Sequence, residues 1–275
     1  MASRKRTRHI PSRNVVPKIV MVDMGFTVLV LKAGSVARHT VQVYREFGKI
    51  RQEVSDELLV REIHEARRLF DGTPETAKER EAYWLAINVR ILDRLSVDPD
   101  RASRLAKDIR REFLNINHLT VSRLVLHMVR KIRHRGIPVV IASNATEAEA
   151  VEKLGHFKLL NEFDGIVTSA EAGFRKPNPD FFRFVLSLNG LPESSSFLHI
   201  GNSLFSDAGA SILPGGEVWI IDRDGRYSPH SSEVKLDEQF SVEYATKVRA
   251  NIANGRLRFA KQRTQLVEGI MARIS

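Results

Sequence analysis

The 275 residues include no cysteine, which excludes disulfides, thiolate zinc sites and cysteine nucleophiles together. The absence suits a reducing compartment, so a cytoplasmic protein is the expectation. Long apolar runs are missing too, and nothing approaches the ~20 residues needed to span a bilayer. The best candidate, Ile19 to Leu31, is interrupted by Asp23 and Gly25. The N-terminus is basic but no apolar segment of a secretion signal follows it, so neither a signal peptide nor a membrane partner is expected. Residues 1–18 are Arg-rich and acid-free, as a transit peptide is, but carry no clear amphipathic repeat.

What is present argues for a packed core. Hydrophobic residues make up 43% of the chain and there are two tryptophans, which sets it apart from disordered sequences. The length suits one large domain, or a domain with a smaller one inserted. The net charge of +10 is unevenly placed. Residues 1–18 carry +6 and residues 247–275 another +6, leaving about −2 between them. A basic end attracts nucleic acid or an acidic partner through its field alone. A solvated, solubilising tail is the plainer reading of the same charges.

Periodicity divides the chain. Ile19-Val20-Met21-Val22 is β-branched and apolar, as a strand buried on both faces should be. From Ser35 to Asn117 helical periods dominate. Ser55 or Asp56 caps a helix through Leu58, Val60, Ile63 and Leu69; Pro74 opens another carrying Tyr83, Trp84, Ile87 and Ile91; Asp98-Pro99 begins a third. After Thr120, short apolar strands alternate with helices: a helix closed by Gly136, then strands at Pro138–Ala142, Gly165–Thr168, Phe197–Ile200 and Val218–Ile221. That alternation predicts an α/β fold with a doubly wound parallel sheet and an inserted all-helical cap. The expected division is a basic tail over 1–17, a core over 18–34 and 118–230, a helical cap over 35–117, and a basic helical extension over 231–275, with Gly255 separating two helices.

Five short segments carry polar chemistry at the ends of these strands. Asp23 closes the first strand, where open α/β sheets place ligand sites, although a lone acid there is most often an ordinary loop residue. Ser143 and Asn144 close the second; either caps a helix, and a helix start also receives phosphate. Lys176 lies in Phe-Arg-Lys-Pro-Asn-Pro ahead of a helix begun by Asn178-Pro179. Gly201-Asn202-Ser203 and Ser206-Asp207 follow a later strand. His64, His127 and His134 lack metal-ligand spacing and read as surface or structural residues. Tyr83 and Trp84 read as packing residues, and Arg38 and Arg45 as exposed helix positions.

In order and spacing these segments resemble the haloacid dehalogenase-like (HAD) hydrolases, over roughly residues 17–225. The resemblance implies a core of the predicted kind and a cap that closes over the site. It implies that Asp23 attacks phosphorus to form an aspartyl-phosphate, with Thr27 as a loop-fixing or phosphate-side hydroxyl. Ser143, and with it Asn144, would bind phosphate, and Lys176 would keep Asp23 ionised. The implied cofactor is Mg²⁺, held by Asp23, the Gly25 carbonyl, Asn202 and Asp207. Two positions depart from the family's commonest pattern, since Gly25 and Asn202 each stand where an aspartate is usual. Glycine supplies no general acid, which favours substrates with good leaving groups. The implied activity is a Mg²⁺-dependent phosphatase acting on a small phosphorylated molecule. The alternatives are a catalytically silent relative docking through its basic ends and a metal-free dehalogenase.

Overall fold

The structure, a computed structural model, describes residues 15–33, 36–51, 53–68, 77–113, 115–222, 236 and 240–274. The N-terminal basic residues up to 14, together with Leu69 and Pro74, lie outside these. Strand β1 (Ile19–Val22) is fully buried. A strand pair follows, β2 (Leu29–Leu31) and, much later, β3 (Leu119–Val121), antiparallel with Leu29 opposite Val121. The chain leaves the sheet along β2 and returns along β3.

Between them lie α1 (Val36–Phe47), α2 (Asp56–Arg68), α3 (Ala77–Arg94) and α4 (Pro99–Phe113). Their apolar stripes meet in a core of their own, around Val43, Leu59, Ile91, Leu92 and Ile109. Local chemistry starts two of them: the Ser55 hydroxyl accepts the Leu58 N–H, and Asp98 accepts those of Asp100 and Arg101. No described residue of 36–113 adds a strand to the main sheet.

After β3 come α5 (Arg123–His134), β4 (Val139–Ser143), α6 (Glu147–His156), β5 (Gly165–Thr168) and the short α7 (Ser169–Ala172). Then follow α8 (Pro179–Leu188), β6 (Phe197–Gly201), the one-turn α9 (Leu204–Asp207) and β7 (Gly216–Ile221). Gly136, at φ +76°, closes the α5 end in the left-handed conformation that glycine adopts without a Cβ penalty. The six main strands run parallel in the order β5-β4-β1-β6-β7-β8, β8 being Leu257–Ala260. Alternate residues face opposite ways. Val20, Val22, Val139 and Ile141 pack under α5 and α6, whereas Ile19, Met21, Val140 and Phe197 pack against α8. Neighbours of β1 are built on either side of it, so the carboxyl ends of β1, β4 and β6 open onto the crevice where such sheets bind ligands.

The C-terminal region corrects the sequence reading. Instead of a helical extension over 231–275, the chain runs through the helix Val242–Ala253, turns at Gly255, and adds β8 to the sheet. The last helix, Arg263–Ile274, then buries Leu266, Ile270 and Ile274 in the same apolar cluster as α5. Gly269 lets it approach closely, because a Cβ there would stand 2.4 Å from the Trp219 ring. Arginines misled the pattern. Arg258 flanks buried Leu257 but lies over the Trp219 ring at 5.5 Å, and Arg256 donates to the carbonyls of Pro214 and Gly216. Arg273 pairs with Glu217 at 2.6 Å. Much of the C-terminal charge is therefore spent inside the body.

Candidate active site

The site is built on the ends of three adjacent strands. β1 ends at Val22, so Asp23 emerges at the centre of the crevice, its N–H held by the Ile200 carbonyl at 2.8 Å. β6 ends in Gly201, and the turn of α9 brings Asp207 back beneath it. Only glycine fits at 201, because a Cβ there would lie 2.0 Å from Oδ2 of Asp207. Lys176 reaches in from the segment between α7 and α8, and its peptide bond to Pro177 is cis.

The ammonium of Lys176 donates to Oδ1 of Asp23 and to Oδ1 of Asp207, both at 2.7 Å, with its side chain almost wholly buried. One cation thus lies between two carboxylates. A buried charge survives only when paired in this way. Burial opposes the charge of Lys176, but Asp207 and Asp23 outweigh it and raise its pKa. Burial pushes the Asp23 carboxyl up to about 6, against the pull of Lys176 and with a push from Asp207. Burial acts on Asp207 in the same direction, yet Lys176 and the His199 hydrogen bond hold it well below the usual carboxylate range.

Asp207 has no capacity left. Its Oδ1 accepts from Lys176 and from His199 Nε2 at 2.8 Å, and its Oδ2 from the N–H groups of Asn202 and Ser203 at 3.1 and 3.0 Å. Four donors fill the lone-pair sites of a carboxylate. In this structure Asp207 anchors Lys176, and protein donors meet both of its oxygens. Sequence reading missed His199, whose imidazole is fully buried and gives Asp207 one of those four bonds.

The other expected residues divide in the same way. Asn144 clamps the Lys176 main chain, its Nδ2 donating to the Lys176 carbonyl and its Oδ1 accepting the Lys176 N–H, both at 2.9 Å. Its amide sets the lysine in place. Ser143 Oγ accepts the Ala145 N–H at 3.2 Å, and the residue lines the cavity above Asp23. Thr27 is buried off that cavity, 3.5 Å from Oδ2 of Asp23, as a loop-fixing hydroxyl would be. Gly25 borders the cavity with no atom within 4 Å of where a Cβ would stand.

The cavity above these residues has a volume of about 490 Å³. The sheet ends form its floor, and β2, β3, α1, α3 and α4 form its wall, with Trp84, Phe113, Leu29 and Leu119 in the lining. Trp84, read from sequence as packing, faces this space, and Tyr83 meets its ring edge-on at 5.5 Å. The lining includes Arg175, Lys153 and Arg110 but neither Arg38 nor Arg45. Phe26, next after Gly25, has φ +59° and remains 39% exposed at the cavity. A bulky residue in that backbone region is rare and costs on the order of 1–3 kcal/mol, which is a reason to look for function there.

The described residues contain no cluster of three or more His, Cys, Asp or Glu side chains arranged for a metal. With Asp207 saturated, the oxygens left are the Asp23 carboxylate, the Gly25 carbonyl and the Asn202 carboxamide. All are hard donors, and Mg²⁺ is commonly held by one or two carboxylates together with substrate phosphate. The donor set fits that ion with one protein charge instead of two.

The family model described as haloacid dehalogenase-like hydrolase matches residues 55–212 of this chain. The chain belongs to that hydrolase family. The matched stretch holds Ser143, Lys176 and Asp207 but begins beyond β1, so Asp23 joins the set through its ion pair with Lys176. None of the curated proteins matches. Among solved structures, a HAD-hydrolase of Bacillus subtilis, YfnB, described as bound to magnesium, superposes with a TM-score of 0.63 at 16% identity, over 93% of this chain and 99% of the other. A HAD family hydrolase of Deinococcus radiodurans R1, with bound phosphate and sodium, gives 0.57 at 16% identity over 93% and 96%. A 2-haloacid dehalogenase of Pseudomonas syringae pv. Tomato gives 0.51 at 18% identity over 95% and 100%. At such identities the likeness concerns the fold, and both phosphatases and dehalogenases share it with this HAD-like hydrolase.

Proposed function

We propose that this HAD-like hydrolase cleaves a small phosphorylated molecule through an aspartyl-phosphate on Asp23. The observation that carries the reading is the buried Lys176 ammonium gripping Asp23 directly beneath a ligand-sized cavity. Lys176 holds one oxygen of Asp23; the other has the Thr27 hydroxyl at 3.5 Å and is the freer of the two. That oxygen attacks phosphorus, the bond from phosphorus to the ester oxygen breaks, and its electron pair leaves with the alcohol or phenol oxygen. Water then attacks phosphorus, the bond to Asp23 breaks, and the carboxylate is restored. Per turnover one phosphomonoester and one water give one alcohol and one hydrogen phosphate, the second proton of water ending on the leaving oxygen.

Lys176 balances charge throughout, and Ser143 offers its hydroxyl to the phosphoryl group. Asp23, the Gly25 carbonyl and Asn202 would hold Mg²⁺, which would neutralise phosphoryl oxygens and so support the displacement. No carboxylic acid stands at Gly25 to protonate the leaving oxygen, so acyl, aryl and anomeric phosphates suit the site better than alkyl ones.

The test is phosphate release from acetyl phosphate, p-nitrophenyl phosphate and glycerol phosphate, with and without Mg²⁺. Activated substrates should turn over and glycerol phosphate should lag. Asp23→Asn should lower turnover by ~10⁴-fold or more while circular dichroism stays unchanged. Retained turnover in that variant ends the mechanism. Asn202, an amide where a carboxylate would strengthen a metal site, favours metal-free displacement of halide as a second reading; halide release without phosphate release would establish it. The basic N-terminal segment is assigned to docking on an acidic partner such as nucleic acid. Binding that weakens steeply with salt, and disappears when residues 1–14 are removed, is the expected result.

A further inference from the structure

The wall of the cavity differs in chemistry from its floor. Trp84 and Phe113 line it, and Phe26 is held half-exposed at its edge by a left-handed backbone. The charged and polar groups of the lining are mostly engaged within the protein: Arg110 pairs with Glu81 at 2.9 Å and Lys153 with Glu149 at 2.5 Å, the Tyr44 hydroxyl donates to Asn88 Oδ1 at 2.7 Å, and Asn88 Nδ2 donates to the Ala106 carbonyl at 3.2 Å. A polyhydroxylated substrate would lose its hydration here without finding enough partners. One polar atom stands apart. His39, on α1, is 2% exposed and lines the cavity, yet its Nε2 has no hydrogen-bond partner among the described residues. Its ring meets Phe113 edge-on at 5.3 Å and His118 at 4.7 Å, and His118 is itself bound to Glu112. Buried polar atoms are rarely left without a partner, and a ligand explains the exception.

We propose that the substrate is an aryl phosphate monoester whose ring packs against Trp84 and Phe26 and carries a neutral hydroxyl or amide that bonds His39 Nε2. The inference rests on the phosphohydrolase reading for the phosphate end alone; the ring and its polar group are argued from the wall. The aromatic wall selects a flat apolar body, and, on the phosphohydrolase reading, the glycine at position 25 favours a leaving group as stable as a phenolate. Burial, aided by neighbouring His118 and opposed by Glu112, lowers the His39 pKa, which favours a neutral imidazole and hence a neutral partner over a second anion.

The test separates binding from turnover. Non-hydrolysable phosphonates are titrated into the full chain by calorimetry: a naphthylmethyl phosphonate, its ring-hydroxylated analogue, and a polyhydroxyalkyl phosphonate. The aryl compounds should bind at least tenfold tighter than the polyol, and the hydroxyl should add a further gain of several-fold. In His39→Phe, which keeps the ring and removes its nitrogens, that gain should vanish while the aryl preference remains; Trp84→Ala should remove the aryl preference. Polyol binding equal to aryl binding would overturn the proposal, and so would a hydroxyl gain that survives in His39→Phe. Should that variant not fold, the wild-type comparison decides, because a hydroxyl that adds nothing overturns the His39 contact. Tight aryl phosphonate binding without hydrolysis of any phosphate ester would leave this pocket standing and remove the phosphohydrolase reading instead.

Discussion

The floor and the wall of the cavity are finished to different degrees. On the floor the charged groups are committed, Lys176 to two carboxylates and Asp207 to four donors, with Asn144 holding the lysine's own main chain, while His199 Nδ1 has no hydrogen-bond partner among the described residues. On the wall, His39 Nε2 is left unmatched among the described residues beside a tryptophan and a phenylalanine. A lysine already held by two carboxylates is preorganised for charge and, on the proposed phosphohydrolase reading, needs no rearrangement when a phosphoryl group arrives. An incompletely satisfied wall is completed by ligand. On the proposed reading, chemistry belongs to the strand ends and selection to the helices between β2 and β3.

The comparison breaks most severely if the floor's cation is removed. Lys176→Met leaves Asp23 and Asp207 buried side by side, so it should cost ~3–5 kcal/mol in urea unfolding and abolish turnover. A loss under ~1 kcal/mol would mean that Asp23 simply takes up a proton and that the lysine is not what balances the floor. The wall should behave otherwise: His39→Phe removes an atom that already lacks a partner and should change stability little.

Gly25→Asp adds the one group the floor lacks, and the backbone leaves open space for it. Rates on alkyl phosphates should rise by up to ~10²–10⁴-fold, with aryl phosphates gaining far less. The measurement is the slope of log kcat/KM against leaving-group pKa, which should flatten. An unchanged slope would mean that leaving-group departure does not limit the wild type.

Leu266→Ala tests the region where sequence and structure disagreed. The side chain is fully buried between the last helix and the sheet, and its truncation should cost ~2–5 kcal/mol. A cost below ~0.5 kcal/mol would mean that the last helix adds little to the core and would favour the helical extension expected from sequence. The strands around the site were legible because each is a short apolar run ended by a polar residue, as at Val22-Asp23 and Ala142-Ser143. β8 was not, since its four residues, Leu257-Arg258-Phe259-Ala260, carry an arginine that spends its charge on an aromatic face. The floor residues could be found by motif order, but their division of labour could not. Whether Asp207 meets a metal or a lysine depends on which donors surround its oxygens, and His199 lies eight residues away on a buried strand. Nothing in the spacing of His39, Trp84 and Phe26 announces a shared cavity, because separate elements bring them together.

The smallest expected effect concerns the missing charge on the floor. Asn202 offers a carbonyl oxygen where a carboxylate would add attraction for a dication, and Asp207 cannot compensate because its lone pairs are taken. Wild-type Mg²⁺ binding should therefore be weak alone and strengthen when inorganic phosphate supplies further oxygens. Asn202→Asp should tighten Mg²⁺ about tenfold without phosphate, a change of about 1.4 kcal/mol, and narrow the gain that phosphate brings. Calorimetric titration of both proteins, with and without phosphate, measures the two quantities together. If the substitution leaves Mg²⁺ affinity unchanged, Asn202 does not face the ion, and the floor works on the lysine's charge alone.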